Sequence, residues 1–147
     1  RARTQGIETY LTSQPFRNVQ IRASYTYTDT KNLSSAASGD AYSGDPLLRR
    51  PRNKFSINLN YQPHRKVNVN LDITHIGKRS DLDFVTYPAL QVKLAAFTLV
   101  NLAVSYDVTK NINVFGKLVN ILDTPYELAK GYAMPRFSAY GGLRLAL

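Results

Sequence analysis

From Val19 onward the chain alternates between apolar and polar side chains. Val19, Ile21, Ala23, Tyr25 and Tyr27 are separated by Gln20, Arg22, Ser24, Thr26 and Thr28. The pattern returns at Phe55, Ile57, Leu59 and Tyr61, and again at Val67, Val69, Leu71 and Ile73, with Ser, Asn, Asp, Gln and Thr between them. Side chains of a strand point alternately to opposite faces, so each segment predicts a strand with one apolar and one polar side. Four further segments fit less cleanly. Residues 3–13 carry Ile7 and Leu11 on one face, and residues 97–108 carry Val100, Leu102, Val104 and Tyr106. Residues 112–122 are ambiguous, because Phe115 and Val119 share a parity with Lys117. In the last segment Phe137, Ala139, Gly141, Leu143, Leu145 and Leu147 alternate with Ser138, Tyr140, Gly142, Arg144 and Ala146. The total is about seven strands of roughly ten residues, long enough to cross a bilayer at a tilt of about 45°.

The connections add a second regularity. Short joins fall at residues 14–17, 63–66 and 109–111, and long ones at roughly 30–51, 79–96 and 123–136. Short and long joins alternate in this way when periplasmic turns lie at one end of a transmembrane barrel and extracellular loops at the other. Tyr25, Tyr27, Phe55 and Phe137 sit at strand ends beside long loops, and Tyr61 and Tyr106 beside short ones. Two aromatic girdles at the lipid–water interfaces have this distribution. The expected fold is therefore all-β, a transmembrane antiparallel β-barrel. An odd number of strands leaves the segment at residues 3–13 with an unpaired edge in hydrocarbon, which predicts further strands upstream of residue 1.

Composition looks soluble at first: hydrophobic residues make up 44% of the 147 positions and mean hydropathy is -0.28. A transmembrane strand exposes only alternate residues to lipid, so this average excludes no barrel. No apolar run reaches the roughly 18 residues of a membrane helix. There is no cysteine, hence no disulfide or thiolate site, and the first residues form no signal peptide. The net charge of +9 would suit a nucleic-acid partner. However, the basic residues are dispersed except for Arg49-Arg50-Pro51-Arg52-Asn53-Lys54, and no nucleic acid is expected as a partner.

The carboxyl end resembles a known family. Asn120-Ile121-Leu122-Asp123-Thr124-Pro125-Tyr126-Glu127 is similar to the N-L-F-D-x-x-Y-E segment of TonB-dependent outer-membrane receptors, followed as in that family by Gly131-Tyr132 and Pro135-Arg136. Arg3-Thr4-Gln5-Gly6-Ile7-Glu8 resembles the R-x-x-G-x-E strand opening of these receptors, and Leu48-Arg49-Arg50-Pro51-Arg52-Asn53 their R-R-P strand start. Ile76-Gly77-Lys78-Arg79-Ser80-Asp81-Leu82-Asp83-Phe84 and Gln91-Val92-Lys93-Leu94 look most like the cobalamin-receptor branch. Tyr140, Gly142, Leu145 and Leu147 resemble the terminal signal read by the barrel-assembly machinery, with leucine where phenylalanine is usual. The resemblance implies that residues 1–147 are the carboxyl-terminal part of a barrel of about 22 strands. It also implies an amino-terminal plug that contacts the TonB complex, neither of which this sequence contains. The whole would import a large scarce nutrient, cobalamin or an iron-siderophore, from a bacterial outer membrane of lipid and lipopolysaccharide.

Ligand contacts are expected in the outer loops, at Asp81, Asp83, Phe84, Tyr87 and Tyr132. Asp40, Tyr42 and Asp45 occupy a Ser/Ala/Gly-rich loop, and Arg49, Arg50, Arg52 and Lys54 stand near the outer rim, where lipopolysaccharide phosphates would attract them. No metal site is expected, since calcium needs six to eight oxygen ligands and two aspartates fall far short. No cofactor is expected either. His64 and His75 join no serine–acid arrangement, so nothing marks an enzyme. Two alternatives stay open on the residues alone: a passive porin-like barrel, and a soluble β-domain that binds a polyanion.

Overall fold

A computed structural model describes residues 1–34, 42–85 and 87–146. Seven long strands form one antiparallel meander: β1 (Ala2–Phe16), β2 (Val19–Asn32), β3 (Asn53–His64), β4 (Val67–Ile76), β7 (Phe97–Asp107), β8 (Ile112–Val119) and β11 (Ser138–Leu145). Two small hairpins, β5–β6 (Arg79–Asp83 with Leu90–Leu94) and β9–β10 (Glu127–Ala129 with Tyr132–Ala133), lie within the connections expected to be plain loops. The large sheet is open, with β1 and β11 at its edges.

Register aligns the apolar sets across neighbouring strands. Ile21 pairs with Leu59, Leu59 with Leu71, Leu71 with Leu102, and Leu102 with Leu118. Each belongs to its strand's apolar parity, so the rows merge into one continuous surface. Among the described residues no second sheet or helix packs over that surface. Among the described residues the buried apolar side chains are Leu94 and Phe97, both at the long-loop end. Single-layer sheets with an uncovered apolar face are not stable in water, because apolar area must leave water to stabilise a fold. A bilayer supplies the missing layer.

The opposite face is wet and internally bonded. Asn58 exchanges amide hydrogen bonds with Asn70 at 3.2 and 3.3 Å, and Asn60 with Asn68 at 3.1 and 3.2 Å. The Ser24 and Ser56 hydroxyls are 2.7 Å apart, and Asn101 donates to Asp72 at 3.3 Å. The parity of residues 112–119 is now resolved. Val114, Gly116 and Leu118 pair with apolar-face residues, which leaves Phe115 and Lys117 on the polar face. Phe115 is tolerated there because it lies against Gly142, where an added Cβ would meet the ring at 2.5 Å. On β1, Gly6 is packed as closely, since a Cβ there would meet the Tyr27 carbonyl oxygen at 2.2 Å.

Several boundaries differ from expectation. The joins at Gln14–Arg17 and Pro63–Lys66 shrink to two residues each, because the strands continue to Phe16 and His64. Pro15 and Pro63 lie in the register shifts between Ser13 and Phe16 and between Tyr61 and His64. A bulge absorbs a residue with no N–H to donate. The strand expected to reach residue 122 stops at Val119, because Asn120 takes a φ of 53°.

The two faces make opposite predictions for a charge. In the full receptor, Leu71→Arg at mid-strand is expected to destabilise by about 2–4 kcal/mol, whereas Asn70→Arg costs under about 1 kcal/mol. Urea titration of folding into lipid vesicles measures both, and equal costs would contradict the assignment of faces.

Candidate functional site

All three long connections leave the same end of the sheet, following β2, β4 and β8. Their meeting point is Asp81, which is 0% exposed. Arg49 Nε, from the first connection, donates to Asp81 Oδ1 at 2.8 Å, and the Lys130 amide, from the third, donates to Oδ2 at 2.7 Å. One carboxylate thus fastens three loops. Burial disfavours its charged form, but the Lys130 amide, the Arg49 guanidinium and the Leu82 amide outweigh that and hold its pKa below the ordinary carboxylate value. The Arg49 amide also donates to the Ser80 carbonyl at 2.7 Å, and the Tyr42 hydroxyl donates to the Ala89 carbonyl at 2.5 Å.

Alternation in β5 puts Arg79 beside Asp81 on the buried face of the hairpin. Arg79 is 5% exposed. Its Nη2 donates to the Glu127 carbonyl, and its Cζ lies 5.1 Å from the centroid of the Phe97 ring, a cation–π contact. Phe97 in turn packs against Tyr126, with centroids 4.6 Å apart. Arg79 Nη1 is buried without a hydrogen-bond partner among the described residues. Desolvation lowers the Arg79 pKa, although Asp81 opposes the shift.

The third connection is shaped by its own residues. Asn120, almost wholly buried, has a left-handed backbone that asparagine accepts more readily than most residues. Its side chain donates to the Thr124 carbonyl at 2.9 Å and accepts from the Thr124 amide at 3.0 Å. Asp123, also at positive φ, takes a fork from Arg136 at 2.8 and 2.6 Å and the Phe137 amide at 3.0 Å. These hydrogen bonds depress the Asp123 pKa. They give the Asn120–Glu127 segment and the Pro135–Arg136 corner a common function, which is to return the chain into β11.

The residues expected to touch ligand are dispersed. Asp81 is enclosed, with both oxygens occupied, so its position is that of a loop fastener. Asp83 accepts the Val85 amide at 3.0 Å. Phe84 and Tyr87 project from the β5–β6 tip, and Tyr132 from the small β9–β10 hairpin, all exposed. A different set converges. Arg49, Arg50, Lys54 and Arg79 line a cavity of about 560 Å³ together with Thr4, Thr26 and Thr28 and the apolar Leu47, Ile76 and Leu128. Thr26, Thr28 and Lys54 have the polar-face parity, so this cavity opens on the wet side of the wall. Of the assembly residues, Tyr140 stands opposite Lys117 on the polar face, Gly142 under Phe115, and Leu145 opposite Ile112 on the apolar face. Asp40 and Leu147 lie outside the described residues. The strands within residues 79–94 had a signal in the alternation of Leu90-Gln91-Val92-Lys93-Leu94. The Asp81–Lys130 bond had none, since its acceptor meets a backbone amide 49 positions away.

Removing the fastener has a specific expected effect. Asp81→Ala strands the Arg49 charge and the Lys130 amide, a loss of about 1–3 kcal/mol borne by the loops rather than the wall. Limited proteolysis of the full receptor on intact cells is expected to cut within residues 42–52, 79–94 or 124–136, with barrel melting unchanged. Because the Asp81 pKa is depressed, its contribution is complete above the ordinary carboxylate pKa and disappears as pH falls through the lower folded value. Wild-type loops should therefore resist protease at pH 5 and open only on stronger acidification.

Comparison with known proteins places this architecture. The family model described as "TonB dependent receptor-like, beta-barrel" matches residues 1–121. The pyoverdine outer membrane receptor FpvA of Pseudomonas aeruginosa superposes with a TM-score of 0.76 at 19% identity, over 99% of this chain and 22% of that one. The siderophore receptor PirA of Acinetobacter baumannii gives 0.76 at 17% identity, over 97% and 22%. The copper transporter OprC gives 0.73 at 18%, over 98% and 23%. This chain spans about a fifth of the length of such proteins. They are siderophore and copper proteins, and the resemblance to the cobalamin branch gains no support from them. The matched family is one of outer-membrane receptor barrels, which sets aside the soluble alternative. The uncovered apolar face, the wet face and the matched residues have one reading: the chain belongs to the TonB-dependent receptor β-barrel family and forms part of a bacterial outer-membrane barrel wall with its extracellular loops.

Proposed function

We propose that this chain is the carboxyl-terminal wall of an importer for an anionic metal chelate of the siderophore class. The observation that carries the reading is the cavity on the wet side lined by Arg49, Arg50, Lys54 and Arg79. Four cations among three threonines suit a ligand rich in carboxylate, catecholate or phosphate oxygens, because guanidinium forks bind paired oxygens bidentately. Arg79 strengthens the case, since a buried guanidinium with an unbonded nitrogen is costly unless an acceptor arrives. The siderophore neighbours support the same ligand class. Phe84, Tyr87 and Tyr132, exposed on the loop tips, would meet apolar parts of the ligand as it enters. Further strands, a plug and its contact with the TonB complex would come from the rest of the receptor. The last strand would carry the signal for the barrel-assembly machinery through Tyr140, Gly142, Leu145 and Leu147.

Uptake by cells expressing the full receptor tests this reading. Lys54→Gln is expected to weaken binding of an anionic ferric chelate about tenfold, in line with the loss of one charge-assisted contact, while surface expression stays normal. Radiolabelled chelate uptake under iron limitation is the measurement. Uptake of cobalamin but of no ferric chelate would overturn the proposal.

A further inference from the structure

Arg49 is held both by its backbone and by its side chain. Its φ is 57°, a left-handed conformation that glycine adopts freely and arginine rarely. Its amide donates to the Ser80 carbonyl at 2.7 Å, so the second connection keeps the chain in that shape. Backbone strain of this kind concentrates at ligand clamps, where the surroundings fix the direction of one side chain. The side chain fixed here is a guanidinium that lines the wet-side cavity.

Asp81 engages only part of that guanidinium. Its Oδ1 accepts from Nε at 2.8 Å, and among the described residues neither Nη of Arg49 has a hydrogen-bond partner. Asp81 itself has no room to turn, since it is 0% exposed and its Oδ2 accepts the Lys130 amide at 2.7 Å. Two positions away on the same buried face, Arg79 is fixed as firmly. The Glu127 carbonyl accepts from its Nη2, and its guanidinium lies over the Phe97 ring. Its Nη1 is buried and unbonded among the described residues, and it lines the same cavity as Arg49. Two immobilised arginines therefore reach one cavity with donors to spare.

We propose that Asp81 is a positioning residue for ligand capture. It orients Arg49 beside Arg79, so that their remaining donors form a ready-made clamp for one carboxylate, or a similar two-oxygen anion, of the imported chelate. The inference rests on the importer reading and deepens it, by naming the group of the ligand that the cavity recognises. Preorganisation supplies the advantage: an arginine on a free loop loses rotamer freedom when it binds, whereas one already held loses little. Charge alone makes the opposite prediction. An anion beside two cations lowers the positive potential of the cavity, so neutralising Asp81 would tighten binding of a negative ligand if only charge mattered. Because the carboxylate acts through the geometry of Arg49, the same change weakens it.

The test is calorimetric titration of the full-length receptor, purified in detergent, with two matched probes. One is ferric desferrioxamine B capped on its amine by a succinyl group, which leaves a free carboxylate. The other is the same chelate capped by an acetyl group, which leaves none. The wild type is expected to prefer the carboxylate probe by at least about tenfold, and Asp81→Asn to bring the ratio of the two affinities close to one. Loosened loops alone would weaken both probes alike and leave the ratio unchanged. Arg49→Lys is expected to lose the preference as well, and Asp81→Asn added to it to remove little more, as for residues that act through one another. Equal affinities in the wild type, no binding of either probe, additive losses in the double variant, or a ratio that Asp81→Asn preserves or raises would overturn the proposal. Should Asp81→Asn fail to fold, Arg49→Lys decides the matter, since an unchanged ratio there excludes the clamp. Cellular uptake separates the two inferences. Import of a ferric chelate without any carboxylate preference removes the clamp and keeps the importer, whereas import of no ferric chelate removes the importer itself.

Discussion

Hydrocarbon offers a peptide group no hydrogen bond, and that deprivation organises the whole wall. A strand in contact with lipid must satisfy its N–H and C=O groups on its neighbours, at a cost of several kcal/mol for each failure. Registers therefore run without a break over Ile73–Val100, Leu71–Leu102 and Val69–Val104, and irregularities gather at the short-turn end, near Pro15 and Pro63. Side chains inherit their division from the same ladder. Once the backbone is pleated and paired, alternate residues have no choice of solvent, and the Asn58–Asn70 and Asn60–Asn68 bonds occupy the half that lipid does not reach.

The loop end obeys different physics. Water is present, so backbone need not be paired throughout, and order has to come from side chains. It comes from a small junction of Leu94, Phe97 and the half-buried Tyr126, with Arg79 laid over the Phe97 ring. Beside it the Asp81 carboxylate is withdrawn from solvent and bonded on both oxygens. Buried ions are tolerated when hydrogen bonds replace their hydration. The polar groups of this junction are specific about geometry, and through Arg49 and Arg79 they give the cavity on the wet side part of its lining.

Much of the wall was legible in the sequence because one physical rule, period two, acts on nearly every residue. Val19–Tyr27, Phe55–Tyr61 and Val67–Ile73 announced their faces without help. Residues 112–119 did not, since Phe115 owes its place to the missing side chain of Gly142 on the adjacent strand, a relation between strands rather than along one. The loops were the least legible. Asp81 was identified as chemically notable, but its partners are a distant guanidinium and a distant backbone amide, and amides carry no residue identity. Lys54 was noticed only as one member of a basic run. That its parity turns it inward, while the β5–β6 register turns Lys93 to the exposed side of its hairpin, required the pairing itself.

The single carboxylate shared by three connections also constrains how such a surface can diversify. Loops attached only at their ends can lengthen, shorten or exchange residues independently, which is the ordinary freedom of surface segments. Here a deletion near Arg49, a shift in the β5–β6 hairpin or a register slip beside Lys130 would each pull the same anchor out of place. Compensating changes must then arise in the other two segments. Drift in this part of the receptor is accordingly concerted, and variation without such matching is confined to the hairpin tips around Phe84, Tyr87 and Tyr132, which extend beyond the anchor.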